Sequence, residues 1–319
     1  MNSTLRAPLS LVVLLSLAVV QSSLSQVNST SEIRLDPRVQ KIVDRAVQRA
    51  LEQFGEKKLE ANELAVTLVD LREPNKPAQG SYRGGEQIYP ASVIKLFYLV
   101  AAHRWMEDGK LKDSEELRRA MRDMIVDSYN EATGYIVDLL TDTTSGPELA
   151  PAEMEVWYEK RNAVSRYFTS LGFQNINVNR KPWCEGPYGR EKQSVNLHKP
   201  NHRNWLTTDA TARLLTEIFS GKCVTQERSR QMMELLRRDP FNPKAETQSR
   251  EYTGKALPEG AKLWSKAGWT SETRHDAAYV ELPDSNRFAL VVFTMNHANE
   301  KDIIPTVVRA VIEGFDQQR

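Results

Sequence analysis

The chain has 319 residues, and its 43 Lys and Arg against 42 Asp and Glu give a formal net charge of +1. This near-neutral balance offers no electrostatic basis for nucleic acid or an anionic membrane surface as a partner. The length suffices for one large domain, or for two closely packed subdomains, with a full hydrophobic core.

Residues 1–25 predict a secretory signal peptide. Arg6 precedes the apolar run LSLVVLLSLAVV, which is followed by the small polar segment QSSLS. The apolar run is too short to span a bilayer as a resident helix, and an uncleaved anchor of the same topology is the alternative. We therefore expect an exported protein, periplasmic or secreted, in which residues 26–319 form a single domain without a stable membrane span.

A helix and a hairpin are predicted next. Asp36 followed by proline is typical of a helix start, and apolar residues then recur at helical spacing until Gly55. Residues 63–73 are β-branched and alternating, so they predict a strand. Residues 81–87 predict its antiparallel partner across a turn rich in proline.

The middle of the chain is predominantly helical in pattern. Predicted helices lie at 92–107, 113–126, 130–141, 148–171 and 208–220. Residues 172–206 contain Pro, Gly, Asn and Trp without a sustained period, and a segment of that kind inside a compact chain is usually functional. The pattern predicts an all-helical subdomain over about residues 91–220.

The last part of the chain returns to strands. Three are predicted, at 261–268, 277–282 and 288–296, and a final helix at about 302–316. Strands from both ends of the chain must therefore combine in one sheet subdomain, over about residues 36–90 and 221–319. Terminal helices cover this sheet, and the helical subdomain is inserted into it.

Three short motifs stand in settings that suit catalysis. They read Ser-x-x-Lys at 92–95, Ser-x-Asn at 128–130 and Lys-Ala-Gly at 266–268. The first motif alone is uninformative, because chance supplies about one such spacing in this composition. A serine before an apolar helix is moreover usually an N-cap. The order of all three motifs, two at helix starts and one at a strand end, is what indicates a shared site.

Together the motifs resemble those of the penicillin-recognising serine enzymes, and most nearly the class A β-lactamases, whose signatures are Ser-x-x-Lys, Ser-Asp-Asn and Lys-Thr-Gly. The resemblance extends to YRGGEQIYPASVIK and LTTDATARLLTEIFSGK and covers residues 36–318. It implies an α/β (α+β) fold of the β-lactamase/transpeptidase type. An antiparallel five-stranded sheet would be flanked by N- and C-terminal helices, beside an all-helical subdomain.

The resemblance also implies an exported serine hydrolase that opens a β-lactam amide through an acyl-enzyme. We expect a small β-lactam or peptidoglycan-peptide-like substrate, a monomer, and neither a cofactor nor a metal. Two alternatives stay open. One is a D-Ala-D-Ala-directed peptidase or amidase of the penicillin-binding type, with a different deacylation route. The other is a non-catalytic binding protein that retains the fold.

Five residues receive catalytic or binding roles from this resemblance. Ser92 is the nucleophile, and Lys95, on the same helix face, is its base. A lysine serves as a base when burial or a second cation lowers its pKa, and Lys266 would be that cation. Ser128 would relay a proton to the leaving nitrogen, and Asn130 would hold the substrate amide.

An oxyanion hole is implied at the start of the Ser92 helix. The free N–H groups and the dipole of a helix N-terminus favour an anion. By analogy with the family, the N–H groups of Ser92 and Trp269 would be the two donors, with Gly268 bringing the strand to them. Losing one such donor typically costs about 10²–10³ in rate.

Two positions depart from the class A pattern around the substrate. Tyr129 stands where class A has Asp, which is closer to the looser Ser-x-Asn of penicillin-binding proteins. Ala267 lacks the threonine hydroxyl that would bond a substrate carboxylate. Arg274 is the first candidate to replace it, because a guanidinium forks onto a carboxylate, and Thr270 and Ser271 are the alternatives.

The glutamate that activates the deacylating water is ambiguous. Glu185 is the first candidate, because the family places an aromatic residue, here Trp183, just ahead of its glutamate. Glu191 is the rival, since it lies nearer the following helix. Neither has the Glu-x-x-x-Asn spacing of class A enzymes, so either acid could equally be a solvated loop residue.

Other chemically suggestive residues carry less weight. His198 and His202 have a helical metal-ligand spacing, but a proline lies between them and no third ligand is near. His275, followed by aspartate, allows a Ser-His-Asp triad, although no nucleophile elbow is present. Cys184 and Cys223 are either a disulfide or two small thiols, which their separation does not decide.

Overall fold

The computed structural model describes residues 33–183 and 186–318. The predicted signal peptide at 1–25, Cys184 and Glu185 therefore lie outside the described residues. In the part of the chain that is described, no helix combines the length and the apolar character needed to cross a bilayer.

The described strands form a single sheet. They are β1 (Arg34–Leu35), β2 (Leu64–Asp70), β3 (Ala78–Tyr82), β4 (Arg237–Arg238), β5 (Lys262–Trp269), β6 (Arg274–Glu281) and β7 (Arg287–Thr294). The order across the seven-stranded sheet is β1-β3-β2-β7-β6-β5-β4. β1 pairs parallel with β3, and every other neighbouring pair is antiparallel. The sheet thus joins strands from the two ends of the chain, as the sequence predicts.

The prediction of an antiparallel five-stranded sheet is wrong in strand number and in pairing. β1 and β4 have two residues each, too few to show an alternating pattern, and they extend the sheet at its two edges. The five longer strands correspond to the predicted ones. The predicted return strand at 81–87 lies earlier, at Ala78–Tyr82, because the register with β2 pairs Asp70 with Ala78.

Eleven α-helices are present in the described segments. They are α1 (Pro37–Gln53), α2 (Lys95–Glu107), α3 (Glu115–Arg122), α4 (Asn130–Thr141), α5 (Pro151–Arg161), α6 (Ala163–Ser170), α7 (Gly189–Leu197), α8 (Thr208–Phe219), α9 (Gln226–Leu236), α10 (Thr247–Arg250) and α11 (Ile303–Asp316). The helix predicted at 148–171 is divided into α5 and α6 around Asn162. α7, α9 and α10 were not predicted. α7 buries only Glu191 and Ser194, so an apolar period cannot reveal it.

The sheet separates two apolar clusters. α1 and α11 cover one face, where Val43, Val308 and Phe315 are completely buried. α8 lies against the other face, and its Leu215 shares one buried cluster with Phe97 of α2; both side chains are completely buried. Burying one such side chain contributes about 1.5–3 kcal/mol before the entropic cost of ordering it. Since α2 is enclosed by the sheet and the helical subdomain, any polar group on it must find partners inside the protein.

Candidate active site

Ser92 lies in a tight turn that leads directly into α2. The turn, Ala91–Ile94, is a 3₁₀-helix, and the Lys95 N–H donates to the Ser92 carbonyl. Side chains three residues apart eclipse in this geometry, so Ser92 and Lys95 share one face. The cap positions of the turn and of α2 are taken by Pro90 and Ile94, without a side-chain cap bond. Ser92 is therefore not an N-cap, and its side chain is partly exposed at the start of a buried helix.

Lys95 is fully buried and holds the Ser-x-Asn motif by three hydrogen bonds. Its Nζ lies 2.6 Å from the Ser128 carbonyl oxygen, 3.2 Å from Ser128 Oγ and 2.9 Å from Asn130 Oδ1. Ser128 adopts a φ of 60°, in the left-handed region, where it follows the π-turn Asp123–Asp127. This backbone reversal turns both the carbonyl and the hydroxyl of Ser128 toward the lysine.

Lys266 reaches the same hydroxyl from the sheet. Its Nζ lies 3.0 Å from Ser128 Oγ, 2.7 Å from Gln248 Oε1 and 2.7 Å from the Ala267 carbonyl oxygen. Burial, and then the charges of Lys95 and Arg238, hold the pKa of the Lys266 amine well below its usual value. Ser128 Oγ thus stands between two lysine amines that come from different elements of the fold.

Gly268 brings β5 against the backbone of the nucleophile. A Cβ at this glycine would lie 2.7 Å from the Ser92 nitrogen and 2.8 Å from the Pro90 carbonyl oxygen. Such distances leave no room for a side chain. Trp269 follows as the last residue of β5, with 53% of its surface exposed. The Ser92 N–H and the end of β5 are therefore adjacent, which is the arrangement that an oxyanion hole requires.

Gly268→Ala is expected to lower the acylation rate about 10²-fold, because the new methyl group must push β5 away from the Ser92 N–H. The loss should appear in kcat/KM more than in the melting temperature. Gly85→Ala is the matched control, since a Cβ there meets nothing within 4 Å. Equal activity of the two variants would show that the close approach has no part in catalysis.

His275 is occupied by the backbone on both sides of its ring. Nδ1 accepts from the Thr294 N–H at 3.1 Å, so Nε2 carries the proton and donates to the Tyr89 carbonyl at 3.0 Å. Burial lowers the pKa of His275 to about 4. A neutral histidine with both nitrogens bonded cannot accept a proton from Ser92, which excludes the triad alternative.

Arg274 is committed to a partner within the protein. Its Nη2 lies 2.6 Å from Glu251 Oε2, and its guanidinium stacks 3.8 Å from the centre of the Tyr252 ring. The side chain is 7% exposed. Its role toward a substrate carboxylate stays a prediction. Ala267 is completely buried in the cluster beneath α1 and α11.

Glu191, the rival candidate for deacylation, is part of a buried ionic cluster. Its Oε1 accepts from Arg161 Nη2 at 2.6 Å and from Ser145 Oγ at 3.0 Å, and it lies 3.5 Å from Lys181 Nζ. Asp138 completes the cluster, 2.6 Å from Lys181. Arg161 and Glu191 are at most 1% exposed. The cluster joins α4, α5 and α7 to the segment that leads toward Glu185.

Glu191→Gln is expected to destabilise the fold by about 3–5 kcal/mol, because it leaves Arg161 and Lys181 with one carboxylate between them. Urea unfolding of the purified protein measures this change. Glu227→Gln is the control, since its ion pair with Arg230 is at the surface and should leave the midpoint nearly unchanged. Full stability of Glu191→Gln with persistent acyl-enzyme would instead assign Glu191 to deacylation.

The remaining candidates lie away from this constellation. His198 stacks on Tyr158 at 3.6 Å, and His202 is buried beside it. Within residues 33–183 and 186–318, no group of three His, Cys, Asp or Glu side chains is arranged to hold a metal ion. Cys223 is buried, which raises the pKa of its thiol. Its relation to Cys184 stays a prediction.

Gln248 and Arg238 belong to the site but were not found from the sequence. Gln248 accepts from Lys266, and Arg238 donates to the Ser265 carbonyl oxygen at 3.0 Å, beside it. Both come from a polar segment without a motif or a period. Only the pairing of β4 with β5 and the position of α10 bring them to Lys266.

Comparison with known proteins gives one family match and several structures of similar fold. The model of the beta-lactamase enzyme family matches residues 43–315. A β-lactamase from Sphaerobacter thermophilus is 20% identical, with a TM-score of 0.62, over 87% of this chain and 98% of its own. PBP-A is 17% identical, with a TM-score of 0.62, over 89% and 98%.

A mutant of PBP-A, solved as an acyl-enzyme complex with penicillin G, is 17% identical, with a TM-score of 0.60, over 86% of this chain and 97% of its own. At such identities the solved structures show a common fold and no more. Among curated proteins, the comparison finds no match. The family match confirms the resemblance that the three motifs indicate.

Proposed function

Because the chain belongs to the beta-lactamase enzyme family, we propose that it is an exported serine hydrolase that opens a β-lactam amide through an acyl-enzyme on Ser92. The family and the fold support a serine hydrolase of the β-lactamase or penicillin-binding type. The observation that carries the proposal is the meeting of two lysine amines on Ser128 Oγ, beside the turn that presents Ser92.

Acylation requires a proton to leave the nucleophile as its oxygen attacks. Ser92 Oγ forms a bond to the carbonyl carbon, the carbon–nitrogen bond of the ring breaks, and the proton ends on the ring nitrogen. Lys95, on the same face of the turn, is the base for the hydroxyl. The Ser92 N–H, together with that of Trp269, would stabilise the negative charge on the carbonyl oxygen.

The return of the proton to the ring nitrogen is assigned to Ser128. Its Oγ lies within 3.2 Å of Lys95 Nζ and 3.0 Å of Lys266 Nζ. A hydroxyl can accept a hydrogen bond from a lysine amine while it donates to the leaving nitrogen. Ser128 alone can therefore carry the proton from the amine to the ring nitrogen. Asn130, whose Oδ1 accepts from Lys95, would hold the substrate amide through its carboxamide.

Release of the acyl group is the step that separates the two enzymatic candidates. A β-lactamase needs a base for water, and Glu185 is the proposed residue. Glu191 is held in its ionic cluster by Arg161 at 2.6 Å. A D-Ala-D-Ala-directed peptidase or amidase would acylate in the same way and release penicillin slowly. Tyr129 at the class A aspartate position favours this second candidate, as does the likeness to PBP-A, a mutant of which was solved as an acyl-enzyme complex with penicillin G.

A chromogenic cephalosporin distinguishes these functions directly. Continuous hydrolysis with many turnovers per protein molecule is the result expected for a β-lactamase. A burst of about one equivalent followed by a plateau would assign the penicillin-binding type instead. No burst, from protein whose folding has been verified, would leave the non-catalytic binding protein as the function.

Export is also a proposal. The signal peptide predicted at residues 1–25 would direct the chain out of the cytoplasm, where β-lactams and peptidoglycan peptides are encountered. Fractionation of an expressing cell, with and without residues 1–25, tests it. Mature protein in the periplasm or medium supports export, and retention of both forms in the cytoplasm contradicts it.

A further inference from the structure

Gln248 connects the two halves of the candidate site. The side chain is 5% exposed and stands on the four-residue helix α10. Its Oε1 accepts from Lys266 Nζ at 2.7 Å and from the Ala267 N–H at 3.1 Å. Its Nε2 donates to the Val126 carbonyl oxygen at 2.8 Å. One carboxamide therefore ties β5 to the turn that carries Ser128, two residues beyond Val126.

The bridge uses both the acceptor oxygen and the donor nitrogen of the Gln248 carboxamide. A carboxylate in its place would keep the two bonds at Oε1 but would lose the donor to Val126. A shorter side chain would lose all three. The bridge thus accounts for glutamine, and it fixes the separation between Lys266 Nζ and Ser128 Oγ, which is 3.0 Å.

Lys266 is surrounded by charged groups, so it matters that its partner Gln248 is neutral. Lys95 on α2 and Arg238 on β4 are the cations that face it, and both disfavour a further positive charge. Asp276 on β6 and Glu246, just before α10, are the acids nearby, and they act in the opposite direction. Among the described residues, no carboxylate accepts a hydrogen bond from Lys266 Nζ, since its acceptors are Ser128, Gln248 and Ala267.

We propose that Gln248 is a positioning residue that aligns Lys266 with Ser128 and that its neutral carboxamide keeps the lysine amine available as a proton acceptor during acylation. The inference rests on the proposed serine-hydrolase function. The lowered pKa of Lys266 agrees with it, because an uncharged amine can take the proton that Ser128 relays. Lys266 returns that proton through Ser128 to the ring nitrogen as the carbon–nitrogen bond breaks. Ser92 therefore loses one proton, the ring nitrogen gains it, and Ser128 and Lys266 end in the states in which they began.

Gln248→Glu tests the electrostatic part of the inference. The new carboxylate would accept from Lys266 and stabilise its charged form, so the pKa of Lys266 should rise. The pH range over which the rate of acylation by penicillin increases should then move to higher pH. At any pH below the pKa of Lys266 in both proteins, the rate should fall about tenfold for each unit by which that pKa increases. Gln226→Glu, at the exposed first turn of α9, is the control and should keep the wild-type pH profile.

Gln248→Ala tests the positioning part. It removes the bridge without adding charge, so acylation should fall roughly 10- to 100-fold at every pH, with no upward shift of the profile. This variant also decides the matter if Gln248→Glu does not fold. A wild-type acylation rate for Gln248→Ala would overturn the proposal.

A titration of Lys266 itself separates this inference from the proposed function. Lysines labelled with ¹³C at Cε report their protonation by NMR, and the Lys266 signal is the one absent from Lys266→Met. An upward shift of its titration in Gln248→Glu supports the inference even if penicillin never acylates the protein. An unchanged titration and an unchanged acylation profile overturn it while leaving Ser92 as the nucleophile.

Discussion

Ser92→Ala is expected to abolish covalent turnover, with a fall in kcat of roughly 10⁴-fold or more. Without Oγ no acyl-enzyme forms, whatever the state of the lysines. The hydroxyl caps neither its own turn nor α2, so its removal costs the helix no cap. The melting temperature should therefore stay close to that of the wild type. Steady-state hydrolysis and thermal unfolding together measure both parts of the expectation.

Ser170→Ala is the matched control for this substitution. Ser170 is an exposed serine at the end of α6, and its Oγ donates to the Tyr167 carbonyl oxygen one turn earlier. Its truncation should leave hydrolysis unchanged. Ser92→Ala with wild-type hydrolysis would remove Ser92 as the nucleophile and with it the acyl-enzyme mechanism.

Lys266→Met is expected to lower the acylation rate by about 10²–10⁴-fold, which is the range for loss of a proton-transfer group. Methionine preserves most of the buried volume and removes the amine that meets Ser128 Oγ. Lys266→Arg should fail to restore the rate, because a guanidinium stays charged and its planar fork cannot take the place of the compact amine. Stopped-flow acylation by penicillin, with both variants compared with the wild type, measures the effect.

The pH dependence has a definite sign at Lys266. The pKa of its amine is below the ordinary value in the folded protein. Between the lowered and the ordinary pKa, the unfolded chain binds one more proton here than the native protein. The free energy of unfolding therefore gains from this group as pH rises through that interval. The acylation rate should rise in the same direction, because the neutral amine is the form that accepts a proton. A wild-type acylation rate for Lys266→Met, or one that falls with rising pH in the native protein, would contradict this assignment.

The sequence predicts the parts of the fold that rest on apolar patterns. The terminal helices α1 and α11 each bury one apolar face, and the central strands β2, β6 and β7 are buried along nearly their whole length. These elements were predicted, as were the helices α2, α3, α4 and α8. α7 was missed because the side chains it buries are polar. β1 and β4 were missed because two residues cannot establish a period.

The sequence likewise predicts some residues of the candidate site and not others. Ser92 and Lys95 are three residues apart, so their common face follows from helix geometry alone. That Lys266 reaches Ser128 depends on the order of strands across the sheet, which local spacing does not contain. Gln248 depends on a bridge between two elements, and Glu191 on a counter-ion from α5, so neither could be derived from its own surroundings in the chain.

Mass spectrometry after exposure to benzylpenicillin tests the central claim most directly. Opening a β-lactam releases no leaving group, so rapid quenching should show a mass gain equal to one whole penicillin. Digestion should place it on the peptide that contains Ser92, and Ser92→Ala should show no gain. A folded protein that gains no mass at any quench time, or that carries the adduct on a peptide without Ser92, would contradict the convergence of Ser92, Lys95, Ser128 and Lys266 as a catalytic site.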